Sequence, residues 1–107
     1  MNLYVIGPVT GRIDLNRAAF ELARMDLERA GYSVRIPHDF IPADATHERA
    51  MRMSLHNLLD NADGVALLDG WVESYGARVE FDAAMACGIE CLRVDAWVEL
   101  ARKGAGR

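Results

Sequence analysis

Within residues 67–80, LLDGWVESYGARVE, a serine, a glycine and a glutamate stand at positions 74, 76 and 80. Ser74 and Gly76 open a helical pattern, so they offer a hydroxyl and backbone N–H groups that lack intrahelical partners, the outline of an anion site. Glu80 comes four residues after Gly76, and one helical turn returns its side chain toward that same helix end. A carboxylate there can attack an electrophilic carbon or stabilise a developing cation. The plainer readings are an N-cap for Ser74 and a solvated helical position for Glu80. Asp69 and Trp71 precede them as candidates for the mouth of the same loop, with a packing lid or an interface residue as the competing reading of Trp71.

A second loop has the same makeup. Residues 7–12 read Gly-Pro-Val-Thr-Gly-Arg directly after an apolar run. Gly7 and Gly11 let backbone approach a ligand closely, Pro8 ends the run, and Arg12 adds a cation. Neither the G-x-G-x-x-G dinucleotide pattern nor the G-x4-G-K-[ST] triphosphate pattern is met, and a tight turn is the competing explanation. Tyr4 carries a hydroxyl that can reach this loop or serve as a core ring. His38, after the second apolar run, is either a ligand contact or a solvated imidazole.

The elements that must position these groups follow from periodicity. Residues 3–6 form a short apolar strand stopped by Gly7-Pro8. Ala19, Phe20, Ala23, Leu27 and Ala30 recur at helical spacing until Gly31. A second strand, 33–36, ends at Pro37. A helix opens around 44–46 with Thr46 as cap, and Met51, Leu55, Leu58 and Leu59 are its apolar stripe. A third strand spans 64–68. The helix after it buries Ala77, Phe81, Ala84 and Met85, and stops at Cys87-Gly88. A fourth strand, 89–94, leads to a short helix, 97–102, capped by Asp95, and to a Gly-rich tail, 104–107, expected to fray.

Alternating strands and helices predict an α/β fold: a small, flavodoxin-like, doubly wound sheet of four parallel strands in order 2-1-3-4, with helices on both faces. That order reverses between the first and third strands, so loops 7–12 and 69–76 line one crevice at the carboxyl ends. The expected organisation is one domain, 1–103, with the tail 104–107.

Composition narrows the partners. The 107 residues carry a formal charge of −4 and a pI near 5.3, which argues against long nucleic acids but not against one small anion. Cys87 and Cys91 have three residues between them and no neighbouring ligands, so no metal site is expected. No apolar run approaches the about 20 residues a membrane span needs, and no basic, apolar leader precedes the first strand. A cytoplasmic protein is the expectation. The sheet edge needs cover, and Trp97 on a short last helix has little chain left to bury it, so a homodimer or higher oligomer is expected.

From Leu3-Tyr4-Val5-Ile6-Gly7-Pro8-Val9-Thr10-Gly11 to Ile89 and Val94, the sequence resembles the DUF4406 family of bacterial and phage domains. More broadly, it resembles the nucleoside 2-deoxyribosyltransferase superfamily. The most specific stretch is Leu68-x-Gly70-Trp71-x-x-Ser74-x-Gly76-Ala77-x-x-Glu80. The resemblance implies chemistry at C1′ of a deoxyribose. A helix-borne glutamate displaces the base, and water or a second base resolves the glycosyl-enzyme.

Glu80 matches that nucleophile by position, and Tyr4 matches a tyrosine that lies beside it. Transferases of free nucleosides carry an acid where Ser74 stands, whereas hydrolases of deoxynucleoside 5′-monophosphates carry a serine. An acid would repel phosphate, so the resemblance implies a 5′-monophosphate ligand. Gly7, Pro8, Gly11, Arg12, Trp71, Ser74 and Gly76 would surround it, and His38 matches a histidine of that hydrolase branch. Asp69, more than the strand-capping Asp63, would donate a proton to the base.

No cofactor is implied. The superfamily's aspartate before the third strand has no acidic counterpart, since Ser54 and Leu55 stand nearest. Arg78-Val79 also replace a more open approach to the glutamate. The expected activity is N-glycosidase or deoxyribosyltransferase. The missing acid motivates the alternative, a non-catalytic nucleotide-binding or sensing module.

Overall fold

The computed structural model describes residues 1–105. The element order is β1 (Asn2–Ile6), α1 (Arg17–Arg29), β2 (Ser33–Arg35), α2 (His47–Asn61), β3 (Gly64–Leu67), α3 (Tyr75–Ala86), β4 (Glu90–Arg93) and α4 (Val94–Ala105). Short 3-10 turns at Ile13–Asn16, Pro37–Asp39 and Trp71–Glu73 interrupt the connections. The four strands are parallel in the order β2-β1-β3-β4, with Tyr4 opposite Val65 and Val65 opposite Cys91. This is the expected α/β architecture.

The two central strands explain why the sheet forms. Leu3–Ile6 of β1 and all four residues of β3 are buried, the continuous apolar signature of strands covered on both faces. Alternation sends Leu3, Val5 and Ala66 to one layer with Phe20, Ala23 and Leu27 of α1 and Trp97 of α4. Tyr4, Ile6, Val65 and Leu67 face the other layer with Leu58 of α2 and Ala84 of α3. Among the described residues, no helix is long and apolar enough to cross a membrane.

Two expectations fail here, each for a local reason. Trp97 is completely buried rather than presented to a partner. α4 begins directly after β4 and has 12 residues, twice the expected span, so it folds back far enough to bury the ring itself. The indole N–H donates to the Val65 carbonyl at 2.8 Å, and the Tyr32 ring meets its edge at 5.7 Å. Gly64 makes room, since a Cβ there would lie 2.6 Å from the indole. Trp97 therefore gives no reason for an oligomer. Gly104 and Ala105 lie inside α4; the rest of the expected frayed tail, Gly106 and Arg107, falls outside the described residues.

The second failure concerns α3. Met85 is 55% exposed, and the buried positions are Ala77, Glu80 and Ala84. Ala77, Ala84 and, partly buried, Phe81 pack as expected, but a glutamate rather than the methionine completes the face. On α2, Leu59 also turns outward and Ser54 inward.

Candidate functional site

The two loops meet as the strand order requires. Gly7 follows β1 at a point where a Cβ would lie 2.7 Å from that of Leu68, so only glycine lets the ends of β1 and β3 close together. Gly70 has φ 84°, and a Cβ there would sit 3.5 Å from both the Arg12 guanidinium and the Pro8 ring. Loop 7–12 thus packs directly against the loop after β3.

Beyond Gly11 the chain does something the sequence does not announce. Asp14, Leu15 and Asn16 have φ of 49°, 54° and 60°, three successive non-glycine residues in the left-handed region. Such residues cost about 1–3 kcal/mol each and persist only where neighbours hold them. Asn16 Nδ2 donates to the Pro8 carbonyl at 2.8 Å, and His38 Nε2 lies 2.8 Å from the Leu15 carbonyl. A carbonyl only accepts, so the proton of His38 is on Nε2. Its Nδ1 is buried without a partner, and its ring packs 4.8 Å from Phe20. His38 is therefore engaged in holding the loop.

At the start of α3, the Ser74 Oγ accepts from the Ala77 N–H at 3.3 Å and caps the helix. Gly76 lies under the first turns of α2: a Cβ there would be 3.2 Å from the Met51 sulfur. His47 and Tyr75 bring their rings within 6.2 Å beside it. Trp71 stacks on Phe81 at 4.6 Å, so its ring anchors the loop to α3. Arg78 donates to the Val72 carbonyl at 2.7 Å and ties down the same turn.

One turn further, Glu80 is only 8% exposed. Its Oε2 accepts the Ser54 hydroxyl, and Ser54 Oγ lies 2.7 Å from the Tyr4 hydroxyl. Ser54 and Tyr4 are 4% and 1% exposed, so α3, α2 and β1 each contribute one oxygen to a buried chain. Burial pushes the Glu80 carboxyl up to about 7, and the Ser54 hydrogen bond pulls it back. Burial, reinforced by the charge of Glu80, pushes the Tyr4 phenol far above the ordinary range. Tyr4 is accordingly a neutral hydroxyl.

Ser54 was legible only as a missing acid. The signal for its real place is spacing: three residues after Met51 and four before Leu58, it sits on the buried stripe of an amphipathic helix. Asp69 goes elsewhere. It pairs with Arg93 at 2.6 Å, has a side chain 89% exposed, and borders a groove of about 1070 Å³ between α1 and α4. Tyr4, Ser54 and Glu80 occupy the α2–α3 side of the sheet. Asp63 accepts from the Asn2 N–H at the opposite strand ends, a structural role.

A family model described as "Domain of unknown function (DUF4406)" matches residues 1–93. The chain belongs to the DUF4406 family. The matched region holds every residue of the buried chain and both crevice loops, and it stops before α4. No curated protein matches the chain. Among the described residues, no group of three or more His, Cys, Asp or Glu gathers as metal ligands would.

Proposed function

We propose that this DUF4406 protein cleaves the N-glycosidic bond of a deoxynucleoside 5′-monophosphate, passing the sugar to water or to a second base, with Glu80 as nucleophile. The observation that carries the reading is the buried Glu80 carboxylate, held at one oxygen by Ser54, which is bonded in turn to Tyr4, one turn into a helix whose leading loop packs at Gly70 against Pro8 and Arg12.

With Oε2 engaged by Ser54, Oε1 is the oxygen free to attack C1′. The C1′–N bond breaks as the C1′–O bond forms, and the bonding pair leaves with the base, which takes up a proton. Water or an acceptor base then attacks C1′, and the pair of the C1′–O bond returns to Glu80 as carboxylate. An oxocarbenium-like transition state of this kind needs carboxylates and positioning. The phosphate would be met by the free N–H groups at the start of α3 and by Arg12. Ser74 keeps its own O–H to donate, because its cap bond uses only an oxygen lone pair. Asp69 could protonate the base only after leaving Arg93.

A second reading has its own support. The carboxylate of Glu80 meets a hydroxyl, not a second acid, from α2, and a site with one acid could bind a nucleotide without turning it over. Incubation with each deoxynucleoside and ribonucleoside 5′-monophosphate, followed by chromatography of free base, separates the two. Release that is lost in Glu80→Ala supports the enzyme. Thermal stabilisation by nucleotide without release supports the binding module.

A further inference from the structure

We infer that Ser54 is the positioning residue of this site: its hydroxyl, held in turn by the Tyr4 phenol, fixes which oxygen of Glu80 faces the crevice and ties the direction of the hydrogen-bond chain to the charge of Glu80. The inference rests on the proposed reaction for its effect on turnover, and on geometry alone for the chain itself.

Proton counting sets the direction. An ionised carboxylate only accepts, so the single proton of Ser54 must go to Glu80 Oε2. The Ser54 oxygen is then left as acceptor, and the Tyr4 O–H must donate to it. A protonated Glu80 permits the reverse order, in which Glu80 donates to Ser54, Ser54 donates to Tyr4, and the Tyr4 O–H, still protonated, turns away from Ser54. The state of the carboxyl is thereby relayed to the far end of the chain.

Nothing else in the surroundings explains the serine. It lies mid-way along α2, away from both ends, where serine is a poor helix former unless its hydroxyl is used. A buried hydroxyl needs partners, and Tyr4 and Glu80 are the two it has. Alanine would fill nearly the same volume. The other strands offer Val65, Leu67 and Cys91 to this layer, and Asp39 and Arg35 act on Tyr4 from the β2 side. Among the described residues, Ser54 is the group whose hydrogen bond favours the ionised form of Glu80.

The test is a carboxyl-carbon NMR titration of protein labelled with 13C-glutamate, with the Glu80 signal assigned from its absence in Glu80→Gln. Ser54→Ala is expected to move the Glu80 midpoint upward from about 7. Ser54→Thr, which keeps the hydroxyl, is expected to bring it back, and Tyr4→Phe to give a smaller upward move. A folded Ser54→Ala titrating with the wild type would overturn the inference. If that variant does not fold, an unmoved midpoint in Tyr4→Phe does so instead. No substrate is involved, so failure to release base would count against the proposed function and leave this result standing. Where turnover is seen, the acid limb of its pH profile should follow the same displacement.

Discussion

The hydroxyl of Ser54 on α2 donates to the carboxylate of Glu80 on α3, and both side chains are almost entirely withdrawn from water. A lone carboxylate in such a place is held by hydrogen bonds rather than by a cation, so its charge remains costly. That cost raises the Glu80 carboxyl to about 7, near neutral pH. It also makes the protein's stability depend on pH.

The Glu80 carboxyl titrates at about 7 in the fold, against 4.5 for the unperturbed group. The folded state therefore holds its proton more tightly than the unfolded chain. This contribution is fully present below 4.5 and is lost as pH rises through about 7. The difference corresponds to roughly 3 kcal/mol. Glu80→Gln, which removes the charge, should melt at a higher temperature than wild type at pH 8, with the gap closing toward pH 5. A gap that is constant across this range would contradict the burial of an ionisable group there. Turnover should move the opposite way with pH, rising through about 7 as the nucleophile ionises.

Arg12 is exposed and leans over Gly70 at the meeting of the two loops. Arg12→Ala should leave the urea midpoint unchanged. It should weaken a deoxynucleoside 5′-monophosphate by about 10–100-fold, the worth of a charge-assisted hydrogen bond. The corresponding nucleoside without phosphate should be unaffected. Calorimetric titration of both ligands reads this, and equal losses for the two would place Arg12 away from the phosphate.

Trp97 closes the other layer of the core, from a helix that lies beyond the family match. Trp97→Ala removes a fully buried ring and leaves the Val65 carbonyl without its indole partner. Urea denaturation should show a loss of about 3–5 kcal/mol. A change within about 0.5 kcal/mol, the range of surface sites, would contradict its core role.

The architecture was readable because its strongest signals are local. Leu3–Ile6 and Gly64–Leu67 are continuous apolar runs bounded by breakers, and short strands alternating with amphipathic helices leave little choice of topology. The convergence of Gly7 and Gly70 followed from strand order alone. What escaped is set by rotation and reach. Ala77, Phe81, Ala84 and Met85 suggest one face for α3; Ala77 and Ala84 are buried and Phe81 packs against the core, but Met85 turns outward and Glu80 inward, where Ser54 supplies its hydrogen bond. Trp97 was misjudged because the length of α4 was. The side chain of Asp69 is steered by Arg93, 24 residues away in sequence, and loop residues carry no periodicity from which to read that.

A nucleophilic Glu80 must become covalently attached to the sugar during turnover. Acid quenching of the protein during turnover, followed by peptide mass analysis, tests it directly. A 2-deoxyribose 5-phosphate adduct is expected on the peptide containing Glu80 and none on that of Glu80→Gln. Base release that continues in Glu80→Gln, with no adduct on the wild-type peptide, would contradict it.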